Sequence, residues 1–423
     1  MSDWGRYWVV LGVTALTTLV ATGLWRLAAI RLRMVIPPAA RRVHESPLPT
    51  LGGVGMLAGF GAGMAAAWWS GDFAAVFGAS TEPIGVVLAV LVMHATGAID
   101  EVRKSEGSPS YLHDGLSAPA KMAGMVLAGT ILSIAGVTIL HFRVPFGEAL
   151  GLGDLLILSP DLSALITVVW VLGMANAINF IDGLDGLAAG IVAIASAAFF
   201  LYADLLSDEG LLDAANIGPL LAVLALGMCV GFLPWNVHPA RIIMGDNGAL
   251  MLGLIVAAAT ISVGGRSAEP YSGQVFFFYA PLFIPLVILG VPILDTAVSI
   301  VRRARLRMSP AAADKNHLHH RLMRLGHGQR RSVAILWAWT ALLSGFVLYP
   351  AYTGEGDALV PLGVAALGLL LYTLFHPGVR AARAAANGDG GSIDGNLDDN
   401  LDDEEITEAD LSAPTGSSDA FGG

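Results

Sequence analysis

Blocks of about 17 or more mostly apolar residues recur along the chain, and they leave few folds open to it. A block of that length can cross most of the ~30 Å hydrocarbon core of a bilayer as a helix. A transmembrane barrel would instead alternate apolar and polar residues over segments of roughly ten. Composition agrees. Of 423 residues, 55% are hydrophobic and 13% charged, where a soluble domain carries about a quarter charged. The expected fold class is an all-α polytopic membrane protein. Apolar length, and the charges, Gly and Pro that end each block, give eleven spans: about 7–25, 51–69, 83–99, 117–140, 162–181, 187–203, 216–234, 248–264, 274–301, 332–350 and 358–376.

Lys and Arg set the orientation. Loops after the odd-numbered spans hold nineteen of them, from Arg26 to Arg383, against Arg6, Arg143 and Arg266 on the other side. The expected N-terminus is therefore outside and the C-terminus cytoplasmic, in a multi-pass protein of the plasma membrane. The net charge of −11 belongs to a tail. Residues 384–423 hold eleven acids and no Lys or Arg, and without them 23 acids balance 23 bases. The organisation expected is one polytopic domain over residues 1–380 and a disordered acidic cytoplasmic tail over 387–423. The single cysteine, Cys229, excludes an intrachain disulfide or a cysteine metal site. Segment 141–161, an outer loop, has room for a small strand pair.

The uncommon polar residues collect in five loops, all cytoplasmic by this orientation. They lie within 41–53, 97–116, 176–190, 234–249 and 302–331. Their most telling stretches read RRVHESPLPTLGG, GAIDEVRKSEG, NAINFIDGLDGLAAG, PWNVHPARIIMGDNGA and DKNHLHHRL. A carboxylate at the edge of hydrocarbon is costly unless it is paired or binds a cation. Asp100 and Glu101 end one span, Asp182 and Asp185 end another, and Asp246 precedes a third. Oxygen ligands without Cys point to a hard cation such as Mg²⁺, which takes one or two carboxylates plus phosphates and water. The basic fifth loop offers Arg and imidazole donors to phosphates. Carboxylates, a hard cation and a basic cluster at a membrane surface imply phosphoryl transfer. The donor would be soluble and the acceptor a lipid.

At these motifs the sequence resembles the polyprenyl-phosphate N-acetylhexosamine-1-phosphate transferases of glycosyltransferase family 4. The resemblance covers about residues 7–350, with all five loops in order. It implies transfer of a sugar-1-phosphate, GlcNAc-1-phosphate first, from a UDP-sugar to polyprenyl phosphate, giving polyprenyl-diphospho-sugar and UMP. The cofactor implied is Mg²⁺, with Mn²⁺ as its substitute. The pathway implied is a cell-envelope glycan, and no nucleic-acid partner is expected. A homodimer is compatible with this reading. The alternative within the family is a phospho-N-acetylmuramoyl-pentapeptide transferase. A transporter or an inactive scaffold paralogue fits less well.

Residue by residue, the resemblance makes Asp100, Glu101 and Asp182 the catalytic acids. Asp246 becomes the metal ligand, with Asn179 close enough to assist. Asp185, Asn236 and the Leu184 backbone become candidates for the uracil pocket. His317, His319, His320 and Arg321 would hold the donor diphosphate, and Lys121 the lipid phosphate. Three positions depart from the family pattern. Glu101 stands for a second Asp, Ile243 for an aromatic, and Asn247 and Ala249 for small hydroxyl residues.

Overall fold

The computed structural model describes residues 3–36, 47–105, 115–143, 155–264, 287, 289–305, 322–323, 327–353 and 359–375. In chain order these form α1 (Asp3–Arg31), β1 (Val35–Ile36), β2 (Leu48–Pro49), α2 (Gly53–Ser70), α3 (Ala74–Ala79), α4 (Glu82–Lys104) and α5 (Ala118–Ile134). There follow β3 (His141–Arg143), β4 (Leu155–Ile157), α6 (Pro160–Ile181), α7 (Leu187–Asp208), α8 (Gly218–Asn236) and α9 (Gly245–Gly264). The last three helices are α10 (Gly290–Arg305), α11 (Gly328–Thr353) and α12 (Leu359–Phe375). Seven of the described helices are long and apolar enough to cross a membrane: α1, α4, α6, α7, α8, α9 and α11. The protein is thus an all-helical, polytopic membrane protein.

Most expected spans coincide with helices, and the differences have local causes. The span placed at 117–140 stops at Ile134, where Gly136 turns with φ of +102° and the chain enters β3. β3 then pairs antiparallel with β4, His141 opposite Ile157, as the outer-loop reading expected. Asp246 lies within the first turn of α9 rather than before it, because Gly245 turns into the helix with φ of +78°. Asp100 and Glu101 lie inside α4, which continues one turn to Lys104. The short α3 and the β1–β2 pair carried no periodicity long enough to announce them. The first part of the span placed at 274–301 and the acidic tail lie outside the described residues.

α9 is the axis of the molecule. Beyond its first turn its only polar side chains are Thr260 and Ser262, and nearly every residue in it is buried, as a helix without a polar stripe must be. α4, α6 and α8 pack around it. α2 meets α1 along a stripe of small residues. Gly55, Gly59 and Gly63 recur at intervals of four and face Thr22, Thr18 and Thr14 of α1. A Cβ at Gly59 would lie 1.8 Å from Thr18 Oγ1, and one at Gly63 would lie 2.1 Å from Thr14 Oγ1. In a bilayer, where lipid tails are as apolar as leucine, such close backbone approach is what holds helices together.

Gly59→Leu should therefore lower the thermal unfolding midpoint of the detergent-purified protein, by the equivalent of about 2 kcal/mol or more. Gly61→Ala, whose added Cβ meets nothing within 4 Å, should leave the midpoint unchanged or slightly raised. Equal effects of the two changes would mean that the stripe does not hold α1 to α2.

Candidate active site at the ends of four helices

Glycines let three helix ends converge. A Cβ at Gly97 of α4 would lie 2.5 Å from Asn247 Cα in α9, and one at Gly53 of α2 would lie 2.4 Å from Gly248 N. This close approach sets Asp100 and Glu101, one turn beyond Gly97, beside Asp246. Asn247 itself is fully buried at this junction. Its side chain therefore sits within the helix packing and not on a surface open to substrate.

Charge then organises the site. Lys121, in the first turn of α5, pairs with Asp246 Oδ2 and lies 3.3 Å from Asp100 Oδ2. Lys104, four residues after Asp100 on the same helix face, is 2.6 Å from Asp100 Oδ2 and 3.7 Å from Asp246 Oδ2. The second oxygen of Asp100 accepts the Leu116 N–H at 2.7 Å, and that of Asp246 accepts Asn179 Nδ2 at 2.7 Å. Asp100 is buried, with 1% of its side chain exposed, whereas 22% of Asp246 is exposed. Of these two carboxylates Asp246 is thus the more exposed. Its place at a helix N-terminus favours its negative charge.

Glu101 is buried and turned toward protein. Its Oε2 accepts the Thr50 hydroxyl and, at 3.2 Å, the Leu51 N–H. Its Oε1 accepts the Asp246 N–H at 3.3 Å. Asp182 follows the last turn of α6 and faces the Gly245 backbone. Burial, then the neighbouring charges of Glu101 and Asp246, hold its carboxyl well above the usual range.

The third and fourth loops are tied to each other. Asn236 Oδ1 accepts the Gly186 N–H at 2.9 Å, and its Nδ2 donates to Ile242 O at 3.0 Å. Asp185 Oδ2 meets His238 Nδ1 at 2.7 Å and the Ala240 N–H at 3.1 Å. Leu184 is buried beside them. The Asn236 amide is thus engaged with main chain, and Asp185 with the loop after α8.

The structure therefore brings Asp100, Glu101, Asp182, Asn179, Asp246 and Lys121 together, with Asp185, Asn236 and Leu184 in an adjoining loop pair. His317, His319, His320 and Arg321 lie outside the described residues. Three residues of the cluster escaped the sequence reading. Lys104 was visible as a basic residue one helical turn after Asp100. Thr50 and His238 had no periodic signal and are placed only by the tertiary fold.

Four carboxyl groups, Asp100, Glu101, Asp182 and Asp246, gather here with two ammonium groups, which pair with Asp100 and Asp246. The excess negative charge and the all-oxygen donors suit a hard divalent cation. Among the described residues, no group of three or more His, Cys, Asp or Glu side chains is placed to hold a metal ion by itself.

Comparison with known proteins bears on this site. The family described as glycosyl transferase family 4 matches residues 83–264, which run from α4 through α9. The chain is 35% identical over 374 residues to a decaprenyl-phosphate N-acetylglucosaminephosphotransferase of Mycolicibacterium smegmatis, covering 87% of this chain and 88% of that one. It is 32% identical over 343 residues to a Bacillus subtilis protein named as a probable undecaprenyl-phosphate N-acetylglucosaminyl 1-phosphate transferase, covering 81% and 83%. It is 30% identical over 315 residues to a phospho-N-acetylmuramoyl-pentapeptide-transferase of Mycobacterium bovis, covering 70% and 82%.

Proposed function

Since the chain belongs to glycosyl transferase family 4, among the polyprenyl-phosphate sugar-phosphate transferases, we propose that it moves N-acetylglucosamine-1-phosphate from UDP-N-acetylglucosamine to a polyprenyl phosphate. The products are polyprenyl-diphospho-N-acetylglucosamine and UMP. The observation that carries this is the cluster of Asp100, Lys104, Lys121 and Asp246 where helix ends meet, with one partly exposed carboxylate and two ammonium groups. The N-acetylglucosamine donor is preferred to the muramoyl-pentapeptide donor because the likeness to the former enzymes is higher and spans more of the chain.

In this reading Asp246, with Asn179 beside it, would hold Mg²⁺ against the donor diphosphate, and Asp182 stays with Asp100 as an acid that places the attacking phosphate. Bound there, Mg²⁺ would screen the diphosphate and stabilise the departing UMP. Lys121 and Lys104 offer ammonium groups to the lipid phosphate. An oxygen of that phosphate attacks the sugar-bearing phosphorus in line, and the bond from that phosphorus to UMP breaks. Asp100, held by Lys104, Lys121 and the Leu116 N–H, orients the attacking phosphate and accepts its proton if it arrives with one. A lipid phosphate has its second pKa at ~6, so this demand on Asp100 is small. Asp185, Leu184 and Asn236 shape the uracil end, and His317, His319, His320 and Arg321 receive the diphosphate.

Asp246→Asn tests the centre of this scheme. The shape is kept and the charge lost, so membrane insertion should survive while UMP release falls by at least ~100-fold. Raised Mg²⁺ should restore part of the rate. Asp213→Asn, in the loop between α7 and α8, should be silent. Parent-like turnover of Asp246→Asn at low Mg²⁺ would remove the metal from this position. A parent chain that releases UMP from UDP-N-acetylmuramoyl-pentapeptide and not from UDP-N-acetylglucosamine would reassign the donor.

The orientation belongs to the same proposal: eleven spans, the N-terminus outside, and the site on the cytoplasmic face of the plasma membrane. The Lys and Arg bias supports it. Buried Cys229 is first changed to Ala. A cysteine at exposed Val237 should then resist a membrane-impermeant thiol reagent in intact cells, and one at exposed Glu209 should react. The reverse pattern would invert the topology.

A further inference from the structure

We infer that Glu101 is a positioning residue, a latch that ties the Thr50–Leu51 corner to the N-terminus of α9 and so fixes Asp246. This rests on the reading of Asp246 as the acid that holds the cation. The sequence placed Glu101 beside Asp100 as a second reacting acid. The geometry gives the two neighbours different tasks. Asp100 faces Lys104 and Lys121. Glu101 faces three donors from protein and none of the site's ammonium groups.

The latch closes a seam that is already stitched by main chain. Ile243 N–H donates to Pro49 O at 2.9 Å, Gly52 N–H to Ile243 O at 3.0 Å, and Gly53 N–H to Met244 O at 3.1 Å. Residues 49–53 therefore run against residues 243–244, directly before Asp246. Ile243 contributes here through its backbone, so an aliphatic side chain at that position leaves the seam intact. Two points on the seam need outside support. Leu51 adopts φ of +63°, a left-handed conformation that a branched aliphatic residue rarely takes. Asp246 N–H is a first-turn amide with no partner inside its own helix. Glu101 supplies an acceptor to both, one oxygen to each side of the seam. Gly245 makes room for it: a Cβ there would lie 2.3 Å from Glu101 Oε2.

The length of Glu101 follows from this task. From the α4 backbone its carboxylate must reach two separate strands of chain at once. An aspartate would fall short by about one C–C bond, ~1.5 Å. The departure from a paired-aspartate pattern is thereby a fit to this seam rather than a loss of chemistry.

The test uses the full chain in detergent, with four variants. Glu101→Asp keeps the charge and loses the reach. Glu101→Gln keeps the shape and loses one acceptor. Thr50→Val removes a donor from the far side of the seam, and Thr50→Ser should restore it. Backbone hydrogen exchange over 47–56 and 240–248 is read without substrate. UMP release is read separately for kcat and for the donor KM. The latch predicts exchange at least ~10-fold faster in both segments for Glu101→Asp and Glu101→Gln, with α6 and α7 unchanged. It also predicts that kcat falls ~10-fold or more while KM stays within about twofold, that Thr50→Val shifts the same way, and that Thr50→Ser restores both readouts. Parent-like exchange at both segments in all the Glu101 variants would overturn the latch. So would a Glu101→Asp enzyme with the parent kcat. If the parent itself releases no UMP, the transferase reading fails, and the exchange data still decide whether the latch exists.

Discussion

A carboxylate at the mouth of a helix that is buried on every side has to be held by something other than water. Asp246 is that carboxylate. The α9 N-terminus favours its charge, Asn179 donates to one oxygen, and Lys121 pairs with the other. Lys121 also reaches Asp100, so one ammonium group links the ends of α4, α5 and α9. If this pairing were absent, two like charges would face each other at the hydrocarbon edge, at a cost of several kcal/mol per uncompensated ion. The convergence of helix ends and the charge pattern are thus a single arrangement.

That arrangement depends in turn on glycine. Gly97 and Gly53 let α4 and α2 approach the start of α9 at backbone distance. On the far side of α2, Gly55, Gly59 and Gly63 let α1 approach in the same way. Packing of small residues sets where the helix ends lie, and the helix ends set where the acids meet. The polar ties between the third and fourth loops, through Asn236 and Asp185, complete the frame on the other side of Asp246.

Much of this was written plainly in the chain. Apolar length announced the spans, because a bilayer sets that length directly. The acids announced the cluster, because a carboxylate at the membrane edge needs a reason to be there. The motif around Asp182 and Asp246 carried the family, as the 35% identity over most of the chain agrees. What the sequence hid was partnership. Nothing in the order of residues says that Glu101 reaches Thr50, fifty-one positions earlier, or that His238 meets Asp185. These contacts arise only when helices distant in sequence converge. The GxxxGxxxG run of α2 was visible, yet its partner on α1 was a set of threonines that reads as ordinary apolar-helix content.

The central claim is that the cation joining donor to protein is held at the mouth of α9. It is tested most directly by anomalous scattering from crystals grown with Mn²⁺ and UDP-N-acetylglucosamine. The account predicts one Mn²⁺ peak in direct contact with the Asp246 carboxylate and the donor diphosphate. A peak on His317, His319 or His320 with none at Asp246, or a bound donor diphosphate with no peak beside it, would contradict it.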